Sequence, residues 1–150
     1  MPGAPLDWET HVAVEGVLLD YCRFVDEGRA EDFAALFTEN CRQEDGRAPR
    51  LGRTAVLESV RKVIAAYTAT SHHLSNLRTN WIDASSVKAT SSVYAWHEMP
   101  DGRQLEVWGR YDDVLSSVSG EWLIEYRRLE VAGTRGLDRD PGFNRVPRRG

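Results

Sequence analysis

Apolar and polar positions change rhythm near residue 70 of this chain. Before it, Leu18, Tyr21, Cys22 and Val25 fall at i, i+3, i+4 and i+7, one face of a helix. Asp7 stands where a capping residue would, with Glu9 in the opening turn, and Gly28 is a natural stop. The stretch "AEDFAALF" predicts a short second helix with Phe33, Leu36 and Phe37 on its apolar side. A third helix is expected from about Thr54 to about Thr68, burying Val56, Leu57, Val60, Val63, Ile64 and Tyr67. Between these two helices, "CRQEDGRAPRLG" is polar and punctuated by Gly and Pro, as in a short strand and a loop. Beyond residue 70 the alternation is strand-like. Four strands are predicted, at about 72–82, 86–98, 104–117 and 121–132, joined by "DASS", "PDGR" and "SVSGE". Such short turns favour antiparallel neighbours. Helices followed by a meander make an α+β domain, with the sheet wrapped against the helices. Its expected span is residues 9–133, between a flexible N-terminus (1–8) and a flexible Arg-rich tail (134–150). The tail reads as solvated, or as reaching a neighbouring subunit or an anion.

Composition narrows the class. A chain of 150 residues with 41% hydrophobic content can form one domain with a real core. A net charge of −4 offers nucleic acid no general attraction. No stretch approaches the roughly 20 apolar residues of a membrane span. The opening "MPGAPLDWETH" lacks a basic and then apolar leader. Cys22 and Cys41 read as buried thiols of a reducing compartment, so a cytoplasmic location is expected. Glycine-rich phosphate loops, a G-x-S-x-G elbow and an H-E-x-x-H helix are all missing from the sequence.

Candidate chemistry begins with "TSHHLSNLRTNW". Neighbours on a strand point to opposite faces, so His72 and His73 make a poor metal clamp. Unbroken alternation puts His73 with Ser75, Leu77, Thr79 and Trp81, and His72 with Leu74, Asn76, Arg78, Asn80 and Ile82. On that count His73 faces inward, as a proton-transfer group or as a core histidine. Tyr21 lies on the apolar face of the first helix and needs a partner for its hydroxyl. Asp26 sits near that helix's C-terminal end, where the dipole disfavours a carboxylate. In "GEWLIEYRRLEV", Trp122, Ile124, Tyr126 and Arg128 share a parity. An inward Arg128 would need an anion: Asp26, Asp112, Asp113, or a ligand. Tyr111, Tyr94, Trp96, Trp108 and Tyr126 could line a pocket for a flat oxygenated ligand or serve as core aromatics.

The stretches "YCRFVDEGRAEDFAALF", "LGRTAVLESV", "SHHLSN", "WGRYDDVL" and "GEWLIEYRRL", in this order, resemble the SnoaL-like group of the nuclear-transport-factor-like superfamily. The resemblance covers residues 9–133. It implies a strongly curved antiparallel sheet, a cone-shaped half-barrel with an internal pocket beneath three helices. Within the group the chain looks most like the branch of scytalone dehydratase, bile-acid dehydratase and hexachlorocyclohexane dehydrochlorinase. That branch pairs a helix-end aspartate with a strand-head histidine, and Asp26 and His73 fall on those positions. Tyr21 matches a tyrosine five residues before the aspartate. The chain departs from the branch in two places. A second histidine on the following strand has no clear counterpart, since His97 lies near that strand's end. The arginine of the bile-acid enzyme falls at Val131, with Arg128 the nearest replacement.

The resemblance thus implies a cofactor-free, metal-free lyase or cyclase acting on a small hydrophobic, oxygenated ring compound. His73 would be the base, Asp26 its orienting partner, Tyr21 (with Tyr111) the donor to a substrate oxygen, and Arg128 an anion holder. A homo-oligomer, dimer or trimer, is the expected assembly. Ketosteroid isomerase offers a rival mapping, with Asp45 as the base. A non-catalytic binding protein, or a structural subunit like that of a ring-hydroxylating dioxygenase, is the reading from another class.

Overall fold

The computed structural model describes residues 1–148. Helix α1 (Trp8–Asp26) starts at Asp7, whose carboxylate accepts from the Thr10 backbone N–H at 2.9 Å. Its buried face is Val14, Leu18, Tyr21, Cys22 and Val25. Gly28 follows with φ +71°, a conformation that only glycine takes readily, and turns the chain into α2 (Ala30–Ala35). Phe37, expected at the end of that helix, instead opens strand β1 (Phe37–Glu44). A two-residue strand β2 (Arg50–Leu51) precedes α3 (Arg53–Ala66), which buries Val56 and Val60. The meander follows as β3 (Ala69–Asp83), β4 (Ser86–Glu98), β5 (Gln104–Val118) and β6 (Glu121–Arg135).

The sheet corrects the expected architecture. It has six strands in the order β2-β1-β6-β5-β4-β3, and β1 runs parallel to β6, so it is mixed rather than antiparallel throughout. Its outer strands β2 and β3 are not paired to each other. It is therefore an open α+β sheet that is neither closed nor strongly curled, not a cone-shaped half-barrel. The connectivity explains this. β1 emerges from the α1–α2 unit and joins β6 where the Ile124 N–H bonds to the Leu36 carbonyl at 2.8 Å. α3 then carries the chain from β2, at one edge, to β3, at the other.

Two local irregularities decide which side chains face the helices. In β3 the pairing with β4 shifts between Ser75 and Arg78, and Asn76 takes φ 53°. This bulge adds a residue, so Thr70, His72 and Leu74 face inward before it, and Leu77, Thr79 and Trp81 after it. In β6 the register moves from Leu115↔Ile124 to Val114↔Tyr126, leaving Glu125 as the extra residue. Beyond it Arg127 turns inward, together with Leu129 and Val131, and Arg128 turns outward.

The segment expected as a tail is laid back on the sheet. Val131 and Asn144 share a backbone hydrogen bond of 2.8 Å, Val146 donates to Val131 at 3.1 Å, and Asn144 donates to the Asp45 carbonyl at 2.7 Å. Gly46 makes this approach possible: a Cβ there would lie 2.3 Å from the Asn144 nitrogen, and its φ is +105°. Arg149 and Gly150 lie outside the described residues.

Candidate active site

A cavity of about 330 Å³ lies between the helices and the inner face of the sheet. Much of its wall is apolar: Val25, Phe33, Val60, Val63, Val93 and Leu129 among others. The segment after β6 closes one side with Leu137, Pro141 and Phe143. On β4 the inward positions are small, Val93 and Ala95, which leaves space for the cavity.

Asp26 ends α1, where the helix dipole would disfavour its charge. Three donors from β3 offset that. The Thr70 hydroxyl donates to Oδ1 at 2.8 Å, the His72 backbone N–H to Oδ2 at 2.8 Å, and His72 Nδ1 lies 2.7 Å from Oδ1. Burial pushes the Asp26 carboxyl upward, but the His72 and Thr70 hydrogen bonds outweigh it, and the group lies below its ordinary value of 3.8. An ionised carboxylate can only accept, so His72 Nδ1 carries a proton, and in the neutral ring the lone pair is on Nε2. His72 lines the cavity, with Asp26 behind it. His97 stands edge-on to His72, with ring centres 5.5 Å apart. It is buried, lines the same cavity and reaches the Leu105 carbonyl with Nδ1 at 3.3 Å. Burial and the neighbouring His72 lower its pKa, which favours the neutral ring.

Tyr21 and Tyr111 also line the cavity. Gln43 donates to the Tyr21 oxygen at 3.1 Å, which leaves the phenol's own proton to donate. The Arg127 guanidinium lies between the two rings, 4.1 Å from the Tyr21 centre and 3.7 Å from that of Tyr111. It is fully buried and makes a two-pronged ion pair with Asp113, at 2.7 and 2.9 Å. Burial alone would lower the Arg127 pKa; the Asp113 carboxylate more than offsets it and keeps the guanidinium charged. Burial also carries the Tyr111 hydroxyl well above its ordinary value.

The structure brings together some of the sequence candidates and separates others. Asp26, Tyr21, Tyr111 and Asp45 all belong to the cavity region. His73 does not: it points to the opposite sheet face, where it bonds the Ser71 hydroxyl at 2.9 Å and packs on Tyr94. Asp26 pairs with His72 instead. Tyr94, Trp96 and Trp108 also fall on that outer face, where Tyr94 stacks on Trp108 and donates to Glu106 at 2.7 Å. Arg128 and Tyr126 face outward too, and both bond Glu44. The inward arginine is Arg127, and Asp113 is the anion it requires. Asp45 lies between Arg47 (2.6 Å) and Arg50 (2.8 Å). Burial raises its pKa, but the two guanidiniums override that and hold the carboxyl far below the usual range. Sequence reasoning passed over His72, Arg127 and Arg50. It also set His97 aside for lying near a strand end. Among the described residues, no group of three or more His, Cys, Asp or Glu side chains is placed to hold a metal ion. No helix among them is long and apolar enough to cross a membrane.

Three helices over one face of a mixed sheet, with a cavity between them, are the architecture of a SnoaL-like domain. The chain belongs to this family: residues 7–128 match the SnoaL-like domain. A candidate scytalone dehydratase of Novosphingobium aromaticivorans is 26% identical, superimposes with a TM-score of 0.89, and is matched over 94% of this chain and 95% of its own. A candidate aromatic ring hydroxylase of the same organism shares the fold at 20% identity, with a TM-score of 0.83 over 88% and 96% of the two chains. So does a hexachlorocyclohexane dehydrochlorinase of Novosphingobium barchaimii, at 17% identity and 0.78 over 93% and 96%. No curated protein matches the chain.

Proposed function

We propose that this protein is a cofactor-independent acid–base catalyst: a lyase of dehydratase or cyclase type, acting on a small hydrophobic ring compound that carries oxygen. The observation that carries this reading is the Asp26–His72 pair at 2.7 Å in the wall of an apolar cavity. His72 Nε2 removes a proton next to an activating group. Asp26 fixes the tautomer and stabilises the imidazolium that forms. The His72 imidazolium then returns that proton to the leaving oxygen, while His97 beside it, neutral and with its Nδ1–H directed at the Leu105 carbonyl, adds no competing charge. Tyr21 donates to the substrate oxygen on which negative charge develops. Enzymes of dehydratase and dehydrochlorinase type among the similar structures support an elimination, since both reactions begin with such a proton removal. Asp45 makes a poorer base, because two guanidiniums hold its charge. A purely structural role is disfavoured by the cavity itself, which tryptophan and tyrosine do not fill.

The test compares neighbouring histidines. Ring-hydroxylated ketones are screened for loss of water with the wild type, with His72→Ala and with His73→Ala. General base catalysis contributes about 10²–10⁴-fold, so His72→Ala should lose that much turnover and His73→Ala almost none. Equal losses in the two variants, or none in His72→Ala, would overturn the assignment.

A further inference from the structure

Beside the main cavity lies a smaller chamber of about 70 Å³, room for a carboxylate-sized group. Tyr21, Gln43, Asp45, Arg50, Tyr111 and Leu129 line both, so the chamber opens beside the main cavity. Arg127 lines the chamber as well. Its Nε and Nη2 are used on Asp113, while Nη1 is buried with no hydrogen-bond partner among the described residues. Arg50 repeats the pattern. Its Nε reaches Ser59 at 3.2 Å and its Nη2 reaches Asp45 at 2.8 Å, yet its Nη1 is buried and unpartnered among the described residues. A buried guanidinium donor without an acceptor is costly, so two of them in the walls of one small chamber need an explanation.

The carboxylates in and beside the chamber are already engaged. Arg127 holds Asp113, Arg47 and Arg50 hold Asp45, and Glu44 pairs with Arg42 and Arg128. Glu44 also accepts from Tyr126.

We propose that this chamber is an acid-recognition subsite: Arg50 and Arg127 receive a carboxylate of the ligand, whose ring system fills the main cavity. The substrate class is then an apolar ring compound that carries a carboxylate in addition to the oxygen at its reacting centre. This rests on the reading above only for the claim that the bound acid goes on to react.

Binding alone tests it, by calorimetric titration with 2-naphthoate and its neutral counterpart 2-naphthamide. The wild type should bind the acid at least about tenfold more tightly, the scale of a charge-assisted hydrogen bond. Arg50→Met should erase that preference while keeping the wild-type circular dichroism spectrum. Arg127→Lys, which keeps the charge but loses the forked donors, should reduce it. Asp26→Asn should leave it intact, so a failed catalytic assignment remains distinguishable from a failed subsite. Equal affinities for acid and amide in the wild type, no binding of the acid, or an unchanged preference in Arg50→Met would overturn the proposal.

Discussion

Asp26→Asn keeps the side-chain shape and removes the charge. Three donors point at the carboxylate, two at Oδ1 and one at Oδ2. An amide cannot accept all three. With its oxygen at the Oδ1 position, its NH₂ meets the His72 backbone N–H, donor against donor. Turned over, it satisfies that N–H but faces the Thr70 hydroxyl and His72 Nδ1–H with a donor. The hydroxyl can rotate; the imidazole must change tautomer. Losing one charge-assisted hydrogen bond costs about 1.5–3 kcal/mol. For a domain of this size that lowers the melting temperature by roughly 3–12 °C. Histidine-selective ¹⁵N NMR reads the tautomer directly and needs no substrate. His72 should be protonated on Nδ1 in the wild type and should lose that state in the variant, while His73 stays unchanged. The pH dependence follows from the lowered Asp26 pKa. Its stabilisation is complete above the ordinary carboxylate value of 3.8 and is lost as pH falls toward the lowered one, so the variant should show a shallower acid limb. An unchanged His72 tautomer with unchanged acid stability would refute the dyad.

Other expectations follow from the packing. Arg127→Met strands Asp113 as an unpaired charge in the core, so urea unfolding should show a loss of about 3–5 kcal/mol. Gly46→Ala drives a Cβ into the Asn144 backbone at a positive φ. It should cost more than about 1 kcal/mol and speed tryptic cleavage at Arg139 and Arg145, with cleavage at the wild-type rate counting against the docked segment after β6. Asn76→Ala should destabilise by about 1–2 kcal/mol in thermal melts and Asn76→Gly by much less, since the bulge holds that residue in the left-handed region.

The helices and the four long strands were legible because their apolar periods are long and their turns are marked. The inward face was not, and the reason is the same in two strands. In β3, parity counted back from Trp81 selects His73, but the bulge at Asn76 reverses it. A hint stood in the sequence: Leu74 and Leu77 are three apart, which a regular strand cannot place on one face. In β6 the extra residue at Glu125 reverses the count between Ile124 and Arg127. Leu129 and Val131 share parity with Arg127, not with Arg128. The outer-face aromatics are a different kind of error. Large rings suggested a ligand surface on β4, but a cavity forms where side chains are small, and Val93 and Ala95 leave that room. The parallel β1–β6 pairing left no mark in the sequence, because it depends on where α2 delivers the chain.

The strand order also bears on how the molecule is made. β6 is the last of the six strands in sequence, yet it sits between β1 and β5. A nascent chain therefore emerges with two half-sheets that cannot be joined until β6 leaves the ribosome. Until then β1 and β5 each present an unpaired edge. Because the wall formed by Leu137 and Phe143 comes later still, the cavity is completed only after β6 has emerged. Chaperone demand should accordingly be concentrated between the emergence of β5 and that of β6, the strand that joins the two halves.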